Sequence, residues 1–425
     1  MIELVGVLLL LLALGFPVAF AMTGASVVYL LSRGGIPLVV LAQRVTVGVD
    51  SFVLLAIPFF FLAGELMNQG GITKRLVDLA QALVGGIRGG LGHVTVVTNM
   101  IMAGMSGSAV ADATGTAAVL IPAMEQAGYP RVFSAALVGA ASTIGPVIPP
   151  SIPFVIYGGI TGVSVGRLFL GGVVPGVLMG FFLMGAVYMV AKQRGYRAEG
   201  WMTVSDALGS IRRAIPVMLF PFIILGGIFS GIVTPTEAAV VAVVYAIVLS
   251  LLFYRELTTP KLIGVLTAVA GNTARITFII ASAGLYGWLL AREGAPQRFT
   301  EFLLSISQEP WAILLLVNVL LLVLGCLMET TAILVILTPV LMDLITKVGI
   351  DPVHFGVVLT LNLMIGLLTP PVGMVLYVMV GLANVSVTEF TRECAVFMLA
   401  LVVVLGLITY FPGLVTFLPN LLMGK

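Results

Sequence analysis

The stretch Ser142-Thr143-Ile144-Gly145-Pro146-Val147-Ile148-Pro149-Pro150-Ser151 sets three prolines within five residues, inside an apolar segment running from about 130 to 159. Each proline withholds a backbone donor, and its ring clashes with the carbonyl one turn earlier, so a helix entering this segment must unwind. The freed carbonyls then need partners. At membrane depth irregular backbone survives only where it is buried in protein or lines a cavity, which is why discontinuous helices so often hold ions and substrates. A kink that only shapes packing is the blander reading. The break Gly366-Leu367-Leu368-Thr369-Pro370-Pro371-Val372-Gly373 repeats the arrangement within 352 to 381.

Around these two breaks, the chain of 425 residues is 60% hydrophobic and 9% charged, with a mean hydropathy of +1.20. A typical soluble domain is roughly 25% charged. No soluble fold hides that much apolar surface. A bilayer span takes about 20 apolar residues. Candidates fall at about 2 to 15, 16 to 32, 50 to 69, 130 to 159, 163 to 192, 214 to 231, 235 to 254, 273 to 291, 352 to 381 and 388 to 417. Two further pieces, 92 to 124 and 309 to 342, are broken near the middle by small or polar residues. An arm such as 94 to 104 reaches only about 16 Å, so each pair reads as a re-entrant hairpin. Amphipathic pieces at about 36 to 48 and 259 to 271 carry or adjoin Arg33, Arg44, Arg255 and Lys261, which suits helices lying at the interface.

Both halves show one order of elements: two spans, an interfacial helix, a span, a short amphipathic piece, a hairpin, a broken span and a last span. Echoes recur at an offset of about 220: Val163-Ser164-Val165 as Val385-Ser386-Val387, and Pro149-Pro150 with Tyr157 as Pro370-Pro371 with Tyr377. Five spans per half is an odd number, so the second half must run inverted relative to the first. The predicted fold is an all-α polytopic membrane protein of two inverted repeats, each with five transmembrane helices and one re-entrant helical hairpin. The first repeat covers 1–192, with scaffold helices in 1–69 and hairpin plus broken helix in 90–159. A cytoplasmic linker follows at 193–213, then the second repeat at 214–425, with scaffold helices in 214–254 and hairpin plus broken helix in 309–381. Inverted repeats are characteristic of secondary transporters.

Lys and Arg concentrate in short cytoplasmic loops, and the loop 192 to 213 carries Lys192, Arg194, Arg197, Arg212 and Arg213. Placing it inside puts these with Lys74, Arg75, Arg88, Arg131, Arg255, Lys261, Arg275 and Arg392, thirteen of the 20 basic residues, on the cytoplasmic face. Both termini then face out, the first hairpin enters from the cytoplasm and the second from the opposite side. The first apolar stretch lacks a basic n-region and a small-residue cleavage site, so it reads as a mature membrane helix. A formal charge of +2 implies no nucleic-acid partner.

The first hairpin tip reads Gly104-Met105-Ser106-Gly107-Ser108-Ala109-Val110-Ala111-Asp112-Ala113-Thr114-Gly115-Thr116. Small residues let backbones approach, and hydroxyls and carbonyls supply the hard oxygen ligands of a small cation such as Na+. Asp112 is either an N-cap of the second arm or an ion ligand, since carboxylates at membrane depth are costly. The second tip, Gly325-Cys326-Leu327-Met328-Glu329-Thr330-Thr331, offers a second cation site by symmetry, with Glu329 also readable as a first-turn charge on a helix start. Neither half carries a buried arginine in these segments, so helix amino termini and bound cations would supply the positive potential for an anion. Thr234-Pro235-Thr236-Glu237 reads as a capping box. His93, His354, Cys326 and Cys394 show no metal-ligand spacing, and no nucleophile elbow, P-loop, zinc or haem motif appears.

At the first hairpin tip, the Pro149-Pro150-Ser151 break, the Thr234-Pro235-Thr236-Glu237-Ala238-Ala239 helix start and the Leu368-Thr369-Pro370-Pro371 break, the chain resembles the large membrane subunit of tripartite ATP-independent periplasmic (TRAP) transporters. The resemblance spans essentially the full length. It implies an elevator-type architecture of the ion-transporter superfamily in the bacterial inner membrane, a small membrane subunit as partner, and a soluble periplasmic binding protein that delivers an organic acid such as sialic acid or a C4-dicarboxylate. It further implies sodium held between each tip and its broken helix, at Ser106, Asp112 and Gly145 in one half and Gly325, Thr330, Thr331, Gly366 and Thr369 in the other. Ser108, Thr143 and Pro149 lie nearer the substrate on this reading. A stand-alone sodium/dicarboxylate symporter of the same superfamily is the alternative, and an intramembrane enzyme using Asp112 and Glu329 is a third.

Overall fold

The computed structural model describes residues 2–424 except 197 and 199, so Arg197 of the charge tally lies outside the described residues. The first half runs α1 (Ile2–Ala13), α2 (Val18–Arg33), α3 (Val39–Val49), α4 (Ala56–Gln69), α5 (Ile72–Val84), α6 (Gly90–Ser106), α7 (Ala109–Gln126), α8 (Arg131–Ser142), α9 (Ile152–Thr161) and α10 (Val165–Arg194). The second runs α11 (Val204–Phe229), α12 (Pro235–Val248), α13 (Thr259–Arg292), α14 (Ala295–Ile306), α15 (Pro310–Leu327), α16 (Thr330–Lys347), α17 (Pro352–Gly366), α18 (Met374–Ala383), α19 (Val387–Tyr410) and α20 (Gly413–Met423). No strand occurs among the described residues. Ala109 and Thr330, which open α7 and α16, stand 221 positions apart, as do Arg131 and Pro352, which open α8 and α17.

Local chemistry sets these boundaries. Proline occupies the first turn of α9, α12, α13, α14, α15 and α17, where its missing N–H costs nothing. The capping box read at Thr234 is present: Thr234 Oγ1 accepts from the Glu237 N–H, and the Glu237 carboxylate accepts from the Thr234 N–H at 2.8 Å. Both proline clusters unwind their helices, separating α8 from α9 and α17 from α18, and the Pro149–Pro150 and Pro370–Pro371 bonds are cis.

Among the described residues, eight helices are long and apolar enough to cross a membrane. Large apolar side chains such as Leu9, Phe20, Phe222 and Leu399 are exposed, an arrangement that suits lipid and not water. The broken helices are the opposite: every residue from Phe133 to Ser142 and from Val353 to Gly366 is buried. A helix hydrophobic all round belongs inside the bundle, so the helices that lead into the two breaks run at its centre.

Three readings need correction. The hairpin arms are not short: α6 has 17 residues and α7, α15 and α16 have 18 each, about 26 Å of rise, because nothing between Gly90 and Ser106 or between Pro310 and Leu327 interrupts the ladder. The piece at 259 to 271 is not a separate interfacial helix. It is the first third of α13, a continuous helix of 34 residues, since Gly271-Asn272-Thr273 is polar but contains no proline; the matching position before α4 is broken at Asp50-Ser51. In consequence Arg275 sits well inside α13 and not in a cytoplasmic loop. Helix α11 begins at Val204, capped by Thr203, which puts Arg212 and Arg213 on a helix.

Helix α13 packs along α2, α3 and α4 and also touches α16. Gly48 and Gly284 let α3 and α13 approach so closely that a Cβ at Gly284 would lie 2.8 Å from Gly48 Cα. Thr23 Oγ1 donates to Ser282 Oγ at 2.9 Å across the α2–α13 contact.

Candidate ion and substrate site

The first hairpin turns through Ser106-Gly107-Ser108. Gly107 takes a left-handed φ of 60°, and a Cβ there would lie 2.6 Å from the Pro150 carbonyl oxygen, so only glycine allows the tip to seat on the broken helix. Ser108 is the N-cap of α7, accepting from the Ala111 N–H at 3.4 Å. This corrects the capping role considered for Asp112, which lies one turn further on.

Asp112 is fully buried, and neither carboxylate oxygen has a hydrogen-bond partner. The Ser106 hydroxyl lies close by without reaching hydrogen-bonding geometry. The carboxylate points at the break, and a Cβ at Gly145 would collide with its Oδ2. A buried ionised carboxylate without a partner costs several kcal/mol, so this position asks for a proton or a cation. The hydroxyl of Ser106 and the unwound backbone at Gly145 are the hard oxygen donors that a small cation takes. Thr143 is buried with its hydroxyl donating to the Ala140 carbonyl at 2.7 Å, and Ser151 caps α9 while its hydroxyl donates to the Pro146 carbonyl.

At the second junction the contact is backbone on backbone. A Cβ on Gly366 would lie 2.8 Å from Gly325 Cα, and the Val372 N–H donates to the Cys326 carbonyl at 3.0 Å. Thr369 Oγ1 donates to the Ile365 carbonyl at 3.0 Å. One turn below Gly366, Asn362 Nδ2 donates to Asn318 Oδ1 at 2.8 Å, and Asn318 Nδ2 to Thr409 Oγ1 at 3.0 Å, tying α15, α17 and α19 together. The sequence reading passed over these amides. A lone asparagine in each of two otherwise predominantly apolar helices was the available signal.

The two tips meet in one cavity of about 280 Å³. Ser106, Gly107 and Ser108 line it from the first hairpin, and Glu329, Thr330 and Thr331 from the second. Asp112, Gly145, Gly325, Gly366, Thr369, Thr143 and Pro149 stand outside the lining, behind the tips and in the breaks. Three further polar residues complete the wall, Glu65 on α4 and Asn272 and Arg275 on α13; the sequence reading set Arg275 among the cytoplasmic charges and gave none of the three to the site. Glu329 holds the N-cap position of α16 without capping it, and Arg275 acts on it electrostatically. An arginine within an apolar helix of a chain only 9% charged was the signal for this wall.

Comparison with known proteins bears on the fold and the family. The crystal structure of the Alcanivorax borkumensis YdaH transporter matches with a TM-score of 0.63 over 88% of this chain and 87% of that one, at 15% identity, a likeness of fold alone. The sialic acid TRAP transporter large permease protein SiaM of Vibrio cholerae is 42% identical over 414 residues, covering 97% of both chains. The isethionate TRAP transporter permease protein DctMQ of Oleidesulfovibrio alaskensis is 38% identical over 97% of this chain but only 65% of its own length. The model of the tripartite ATP-independent periplasmic transporter DctM component matches residues 5–414, and the chain belongs to that family.

Proposed function

We propose that this protein is the large permease subunit of a sodium-driven uptake system for an organic anion, delivered by a periplasmic binding protein and carried by an elevator movement in the inner membrane. The observation that carries the reading is the single cavity in which Ser106 and Ser108, Thr330 and Thr331, and Arg275 come together. Hydroxyls and a guanidinium fork are the groups that recognise a carboxylate or sulfonate. Asp112 with Ser106 and Gly145 serves one sodium ion; Thr330, Thr331, Thr369 and the Gly325–Gly366 backbone serve another. Each lies behind a hairpin tip, so ion occupancy orders the wall of the anion cavity and couples the two. The two halves act as inverted repeats with both termini periplasmic. The hairpins and broken helices (90–159 and 309–381) form the moving body, and 1–69 and 214–254 the scaffold.

Two partners belong to this reading. The fused DctMQ relative extends well beyond the part that this chain matches, which supports a small membrane subunit as a partner. Uptake of a radiolabelled organic acid by proteoliposomes containing both membrane subunits, with the binding protein outside, tests the proposal. Uptake requires the inward sodium gradient and the binding protein together; uptake that persists without either one overturns it.

A further inference from the structure

A second groove lies on the far side of the second hairpin tip, between α1, α14 and α16. It holds about 440 Å³, and its wall is apolar: Leu8 and Leu9 from α1, Phe302 from α14, Ile336 and Leu337 from α16. Arg298, in the first turn of α14, is the one charged side chain of the lining among the described residues. It has no ion pair there. The neighbouring acid on α16, Asp343, is already held by Lys347 at 2.9 Å.

An apolar slot with an uncommitted cation at its mouth asks for a ligand with a long apolar body and an anionic head. Size separates the two kinds of occupant a membrane offers. An α-helix with its side chains is about 10 Å across and rises 5.4 Å per turn, so little more than one turn would exhaust the groove. Its depth fits a thinner chain: the lining runs from Met328, beside the tip, to Val340 on α16, and the helix from Thr330 to Val340 rises about 15 Å, half of a roughly 30 Å hydrocarbon core. We propose that the groove binds one acyl chain of a phospholipid, with the lipid phosphate on Arg298. Each buried CH₂ adds about 0.8 kcal/mol, and basic residues between membrane helices recognise the head group. The walls come from α1 on one side and the second hairpin on the other, so the lipid fills the seam between two elements that need not move together.

The test is native mass spectrometry of the full chain, purified in mild detergent and supplemented with phosphatidylglycerol. The wild-type chain retains one phospholipid. Leu337→Trp and, from the opposite wall, Leu9→Trp fill the slot and cut retention at least five-fold, and Arg298→Ala cuts it about three-fold. Leu399→Trp, on an exposed face of α19, leaves it unchanged. Equal retention in all four variants overturns the proposal, and so does site-specific cross-linking from Leu9→Cys to a partner subunit in place of lipid. Two fillers on separate helices keep the result readable if one of them fails to fold.

Discussion

At the first hairpin–break junction, the tip brings a carboxylate, Asp112, against the glycine of the broken helix. At the second, 221 positions on, Ile333 stands where Asp112 does, and the junction closes by Gly325 against Gly366. The N-caps differ in the same sense: Ser108 caps its helix, whereas Glu329, at the matching place, leaves its cap unmade and faces the cavity. One backbone plan thus carries two chemistries. The first junction holds its negative charge buried behind the tip; the second shows it to the cavity, opposite Arg275. A charged ligand set binds a cation by attraction as well as by geometry. An uncharged one depends on geometry alone, and the second junction should therefore tolerate less backbone disturbance and the first less change of charge.

Four substitutions test that contrast, from the largest effect to the smallest. Asp112→Asn keeps the volume and removes the charge; sodium-driven uptake should fall about 100-fold, the equivalent of about 2.7 kcal/mol, measured as initial rate against sodium concentration. Retention of wild-type sodium dependence would remove the distinction between the junctions. Gly366→Ala sets a Cβ into the Gly325 backbone, and overpacking of this kind costs about 1–3 kcal/mol. It should lower the thermal unfolding midpoint, and the loss should not be recovered by raising sodium. Arg275→Lys keeps the charge but loses the planar fork; half-saturation for the anion should rise about 10-fold with the sodium requirement unchanged. Ser108→Ala removes a cap worth about 1 kcal/mol and one hydroxyl of the cavity, and should appear as a small drop in the unfolding midpoint with a rise of about 3-fold in half-saturation for the anion.

Much of this architecture was legible in the residues. Proline clusters announce broken helices because the missing donor is a covalent fact, and the capping box at Thr234 was readable because all its parts lie within four residues. The hairpins were legible as pairs of arms but not in their length, which depends on how far an uninterrupted apolar run stays helical. Asp112 could not be assigned in advance, because Ser106, Ser108 and Asp112 are all residues that cap helices, and only the fold shows that Ser108 does so. Arg275 was misplaced for a similar reason. Asn272 and Thr273 look like the end of an interfacial piece, yet polarity alone does not end a helix that packs along α2, α3 and α4. Which residues face a shared cavity is a tertiary fact, and no spacing within one segment encodes it.

Helix α13 bears on the elevator movement proposed above. Its 34 residues run unbroken, it is clamped to α3 through Gly48 and Gly284, and it carries Arg275 partway along its length. Should the hairpins travel while this strut stays put, the cup of hydroxyls moves and the guanidinium does not. The pull on an anion would then depend on the height of the cup and not on its shape, strong beside Arg275 and weaker beyond it, so that release needs no opening of the cup, only distance.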